Sequence, residues 1–159
     1  MATTREHRYV VSVNWTGNLG SGTSGYREYA RDYEIAADAK PAIPGSADPA
    51  FRGDRSRWNP EELLVASLSA CHKLSYLHLA AAAGIVVTAY ADRAEGVMEI
   101  TPAGVGRFKS VVLHPTVTVK PGSDFQRART LHQSAHEMCF IANSVNFQVG
   151  CEPEIKMEA

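Results

Sequence analysis

The chain has no apolar run of the length that a membrane-crossing helix requires, about 20 consecutive apolar residues. That excludes a helical membrane anchor within these residues. Its N-terminus, MATTREHRYV, lacks the hydrophobic core of a secretory signal, which argues against export by that route. Charge of either sign is nearly balanced, with a net charge of −1, so neither nucleic acid nor an anionic membrane is expected as a partner. Cysteine is also scarce. Cys71, Cys139 and Cys151 are an odd number at wide spacing, which fits neither a secreted disulfide framework nor a zinc-finger pattern. A reducing, cytoplasmic setting is the expectation. There is no internal repeat and no low-complexity tail.

What remains is an ordinary globular composition, 45% hydrophobic and 21% charged, in 159 residues. That length suits one domain, residues 1–159, with a core of its own. The strongest local signal is Asn59 to Gly84, NPEELLVASLSACHKLSYLHLAAAAG. Asn59 suits an N-cap, Pro60 the first helical position, and Glu62 completes an N-x-x-E capping box. Glu61 and Glu62 put negative charge at the positive end of the helix dipole. Gly84 suits the residue after the helix, where positive φ is needed. Leu64, Leu68, Cys71, Leu74 and His78 recur at three- and four-residue steps and so share one face. With Lys73 the one charge after the first turn, the helix is expected to be buried on most sides.

Around that helix the pattern alternates. His7 to Trp15 and Tyr26 to Ala36 read as strands on either side of a Gly/Ser/Thr-rich turn. Lys40 to Trp58 has three prolines and no period and reads as a long loop that carries Arg52, Arg55 and Arg57 to the cap. After Gly84, two strands are predicted around a turn near Glu95-Gly96. A third strand follows, interrupted at His114-Pro115, where proline suggests an edge or a bulge. Asp124 can cap a second helix in which Phe125, Ala128, Leu131, Ala135 and Met138 hold a helical period. Cys139 ends it, and Phe147 to Ile155 closes the chain as a strand. The order indicates an α+β fold, mainly antiparallel sheets packed on two central helices.

Two of the three thiols fall on these helices. A free cysteine usually serves as a small buried hydrophobe. A redox role requires Cys71 and Cys139 to be brought together by the fold, and a cation near the attacking sulfur to favour its thiolate. Metal is the other chemistry to weigh. His136-x-x-Cys139 has a zinc-like local spacing. Cys71 and His72, however, point about 100° apart on a helix, and His78 is expected to be packed or hydrogen-bonded. No metal site is assigned, and Cys151 reads as a strand residue.

The segment NPEELLVASLSACHKL strongly resembles the first cysteine motif of the OsmC/Ohr family, and AHEMCFIANSV is similar to its second. Phe140 and Ile141 stand where peroxidase members usually carry proline and a small or aromatic residue. Together with CHKLSYLHL, this points to a less-characterised OsmC-like branch. The resemblance implies an intertwined homodimer that reduces organic hydroperoxides and needs no cofactor. Cys71 would become a sulfenic acid, Cys139 would resolve it as a disulfide, and a lipoyl-type or other dithiol would restore both. Glu61 matches the family's active-site glutamate, whose role is to hold an arginine beside the thiolate. Arg52 is the first candidate for that arginine and Arg27 the second. The alternative is a non-catalytic OsmC-like domain that binds a small apolar or thiol-reactive ligand at the dimer interface.

Helix geometry adds an independent inference. Ten residues of α-helix separate Glu61 from Cys71 by about 15 Å. If both serve one site, either the helix breaks or Glu61 comes from a second subunit.

Overall fold

The structure, a computed structural model, describes residues 3–159. The chain forms two compact units, one ending at Leu63 and one running from Leu64 to Ala159.

The first unit holds a three-stranded antiparallel sheet in the order β1 (Ser12–Trp15), β2 (Tyr33–Ala36), β3 (Ile43–Gly45). Both expected N-terminal strands are therefore shorter than their patterns suggest. Residues 7 to 11 lie outside the sheet, and Tyr26 to Tyr29 form turns and bends. Arg31 is the reason for the second departure. Its guanidinium donates to the carbonyls of Tyr29 (2.6 Å) and Tyr26 (2.7 Å) and lies 3.9 Å from the Tyr29 ring centroid. Those carbonyls are thereby taken from any strand ladder. The long loop is also better ordered than its composition implies. It contributes β3 and a 3-10 turn at Pro49–Phe51. Ser46, fully buried, donates to Asp32 and accepts from the Asp54 amide, each at 3.0 Å. A Cβ on Gly53 would sit 1.6 Å from the Ala47 carbonyl oxygen, so this close approach requires glycine.

The helix α1 (Pro60–Ala82) has the expected ends. Asn59 Oδ1 accepts from the Glu62 amide at 2.8 Å, and Glu62 Oε2 accepts from the Asn59 amide at 3.2 Å. Gly84 takes φ 72°. The buried face is not the expected one. Leu68, His72, Tyr76 and Ala80 are buried, whereas Leu74 is 64% exposed and His78 is exposed. The many alanines on α1 leave its sides alike in hydrophobicity, so packing chose a face rotated by about one residue, or 100°.

In the second unit, β4 (Val87–Asp92) and β5 (Glu95–Ile100) do not pair with each other. The chain changes sheets at Arg93-Ala94, and Glu95-Gly96 lie within β5 rather than in a turn. β5 pairs with β6 (Gly106–Leu113), and β4 pairs with β7 (Pro115–Val119), both antiparallel. His114 is the crossing between sheets, and Pro115 opens β7, a position where its missing N–H costs little. The closing segment is two strands: β8 (Gln148–Cys151) lies parallel to β6, and β9 (Glu154–Met157) parallel to β7. The sheets are β4-β7-β9 and β5-β6-β8. The helix α2 (Phe125–Met138) is capped by Asp124, which accepts from the Arg127 amide at 2.8 Å.

Two apolar clusters result. Tyr76, Ala80, Val117, Leu131, Ala135 and Ile155 join α1 and α2 to the β4-β7-β9 sheet. Leu68, Val111 and Leu113, with Val65, Phe108 and Phe147 against them, join α1 to the β5-β6-β8 sheet. Leu68 and Tyr76 belong to different clusters, so His72, one turn from each on the same face, sits at the seam between them.

Candidate functional site

Cys71 lies mid-way along α1 and is half-buried; Cys139 is the C-cap of α2 and only 1% exposed. Although 68 positions apart in sequence, the two thiols are neighbours in the fold. Cys139 Sγ also accepts from the Ala142 amide at 3.4 Å. Burial pushes the Cys139 thiol up to about 11, partly offset by the Ala142 amide, with the neighbouring Cys71 adding to the rise. The pair is thus one partly accessible and one enclosed thiol in the same neighbourhood, an arrangement suited to forming and breaking a disulfide.

The remaining expected residues are in the first unit. Arg52 is exposed and closes the 3-10 turn at φ 65°, ψ 27°, a left-handed conformation uncommon for a long side chain. Arg27 is exposed in the turn region before β2. Glu61 is half-buried and lines a cavity of about 260 Å³ whose wall also includes Arg31, Tyr33 and Phe51. Arg31 therefore shares a cavity with Glu61, and it is held there by two backbone carbonyls and two tyrosine rings. Nothing in its sequence context, ARDYE, marks it out. Arg57 is committed elsewhere, to Asp32 at 3.5 Å and Asp54 at 3.8 Å. The helix α1 is unbroken between Glu61 and Cys71, which removes one of the two ways they could meet.

A second constellation was not anticipated. Among the described residues, one group of three could hold a metal ion: His72 on α1, His132 on α2 and Cys151 at the end of β8. His72 Nε2 lies 2.9 Å from His132 Nδ1, and Cys151 Sγ lies 3.6 Å and 3.8 Å from those two nitrogens. Burial lowers both imidazoles from their ordinary value, His132 to about 3, and raises the Cys151 thiol to about 12. The cluster is therefore uncharged as it stands. One signal was available in the sequence: His132 shares the buried stripe of α2 with Ala128, Leu131 and Ala135.

The family model described as OsmC-like protein matches residues 53–154. The chain belongs to the OsmC-like family. Among solved structures it is 31% identical to an OsmC-like protein of unknown function from Vibrio cholerae, over 93% of this chain and 99% of that one, with a TM-score of 0.84. An organic hydroperoxide resistance protein OsmC from Legionella pneumophila is 19% identical over 96% and 99%, with a TM-score of 0.68. An organic hydroperoxide resistance protein from Elizabethkingia anophelis is 18% identical over 97% and 100%, at 0.67. The last two likenesses are of fold. No curated protein matches the chain. The stretch shared with OsmC-like proteins contains Glu61, Cys71, Cys139, His72, His132 and Cys151, and begins one residue after Arg52.

Proposed function

We propose that this OsmC-like protein is a thiol-dependent peroxidase that reduces organic hydroperoxides. The observation that carries the reading is that two different helices bring Cys71 and Cys139 near enough for one thiol to act on the other. The half-buried Cys71 attacks the outer peroxide oxygen. The O–O bond breaks, an alcohol leaves with a proton, and the sulfur is oxidised by two electrons to a sulfenic acid. The Cys139 thiol then displaces water from it to give the disulfide. An external dithiol returns two electrons and two protons by exchange and is itself oxidised to a disulfide. The apolar residues Ile141 and Ala142 next to Cys139 favour a substrate with an alkyl tail over hydrogen peroxide.

The proposal includes a homodimer. An unbroken α1 keeps its own Glu61 about 15 Å from Cys71, so the Glu61 and arginine of one subunit serve the thiol of the other. Arg31, which shares a cavity with Glu61, joins Arg52 and Arg27 as a candidate for that arginine.

The test is consumption of an alkyl hydroperoxide with a dithiol reductant. Wild type is expected to turn over, Cys71→Ser to be inactive, and Cys139→Ser to consume about one equivalent and stop in a sulfenic acid. Peptide mapping after peroxide should find Cys71 joined to Cys139. Turnover surviving in Cys71→Ser ends the reading.

A further inference from the structure

Three lone-pair donors from three elements converge at the seam of the second unit. His72 and His132 are 1% and 4% exposed, and Cys151 is half-buried. The setting is largely apolar and aromatic. The Tyr76 ring stacks on His132 with centroids 3.9 Å apart, and the planes of the two imidazoles are nearly parallel, at 7°. Placing two imidazoles and a thiol in such a place costs more than filling it with aliphatic side chains unless their polar atoms are used. As an isolated network they are used poorly. Only one proton fits between the facing imidazole nitrogens, and among the described residues the buried His132 Nε2 has no partner. The Tyr90 hydroxyl is likewise buried without a partner among the described residues.

A cation among the three uses all of them at once. Tetrahedral zinc, with bonds of about 2.0–2.1 Å to nitrogen and about 2.3 Å to sulfur, sets N···S near 3.6 Å and N···N near 3.3 Å. The sulfur distances here, 3.6 Å and 3.8 Å, already match. The two nitrogens, at 2.9 Å, need to part by about 0.4 Å. Favourable charge is at hand: the Asp92 carboxylate acts electrostatically on both His72 and Cys151, and is fixed by the Ser69 hydroxyl and the His114 amide. A cavity of about 530 Å³, whose wall includes His132, Cys151, His136 and Gln133, opens beside the cluster. It supplies both an entry path and room for a water as fourth ligand.

We infer that His72 Nε2, His132 Nδ1 and Cys151 Sγ form a three-ligand site for a zinc-type divalent ion, with one position open to that cavity. On binding, the Cys151 thiol gives its proton to solvent and the sulfur ligates as thiolate. The site is separate from the Cys71–Cys139 pair, and Cys151 takes no part in the peroxide chemistry.

Cobalt(II) is the probe, because a thiolate ligand gives it an intense charge-transfer absorption. The chain used is the Cys71→Ser/Cys139→Ser double variant, in which Cys151 is the sole thiol. One equivalent of cobalt per chain is expected, with that absorption, displaced by zinc. Adding Cys151→Ser should abolish the absorption, and adding His132→Gln should weaken affinity at least about tenfold. A folded double variant that binds no cobalt, or an absorption that persists without Cys151, overturns the site. Should the double variant fail to fold by circular dichroism, thermal unfolding of the wild type with and without zinc decides. A rise in Tm seen in wild type and lost in Cys151→Ser supports the site, and equal behaviour overturns it.

Discussion

The Cys139 thiol is enclosed to the point that 1% of the residue meets solvent, and this has a consequence for stability as well as for redox chemistry. Burial holds its proton until about pH 11, against an ordinary value near 9. Between those values the unfolded chain has released the proton while the folded chain keeps it, so stability falls as pH rises. The contribution is fully present below the unfolded value and is lost as pH climbs through the folded one. Its full size is on the order of 2 kcal/mol. Urea unfolding of wild type from about pH 8 to about pH 10.5 should therefore lose stability more steeply than Cys139→Ala. The variant will be the less stable at neutral pH, and the gap should narrow on the alkaline side. Parallel curves would mean that Cys139 titrates alike in both states. Cys71 and Cys139 could be nominated from the sequence because each stands in a local motif that resembles the family's. The His72, His132 and Cys151 group could not, because none of the three stands at a ligand spacing from another along the chain.

At the scale of elements, caps were read correctly and faces less well. A cap is a matter of three or four adjacent residues, and Asn59 with Glu62, and Asp124 with the Arg127 amide, behave as their local chemistry dictates. Asn59→Ala is expected to destabilise by about 1 kcal/mol, read from the urea midpoint, because one side-chain acceptor for the α1 N-terminus is lost. A change below about 0.3 kcal/mol would mean that the cap is idle. Choosing the buried face of α1 is a different problem. Leu68 and Tyr76 are inward while Leu74 is outward, and in a helix with many alanines this is decided by what packs against it. The strands tell the same story. Alternation identified β4, β5, β6 and β7 as extended, yet it could not say that consecutive strands would join different sheets.

For the whole molecule, the outward stripe of α1 at Ala66, Ala70, Leu74 and His78 is largely apolar and exposed in the single chain. A homodimer that covers it is expected. Sedimentation at micromolar concentration should give the dimer mass for wild type, and Leu74→Glu should shift it toward monomer while the helix content is kept. A wild-type monomer would remove the proposed sharing of Glu61 between subunits. The sequence by itself determined the two helices, their caps, the α+β class and the kinship carried by the two cysteine motifs, since each rests on residues within a few positions of one another. Only the tertiary structure decided which side of α1 is inside, how the strands divide between sheets, and which histidines meet the third cysteine. Those outcomes depend on contacts between residues far apart in the chain, whose relative positions exist only once helices and sheets have packed.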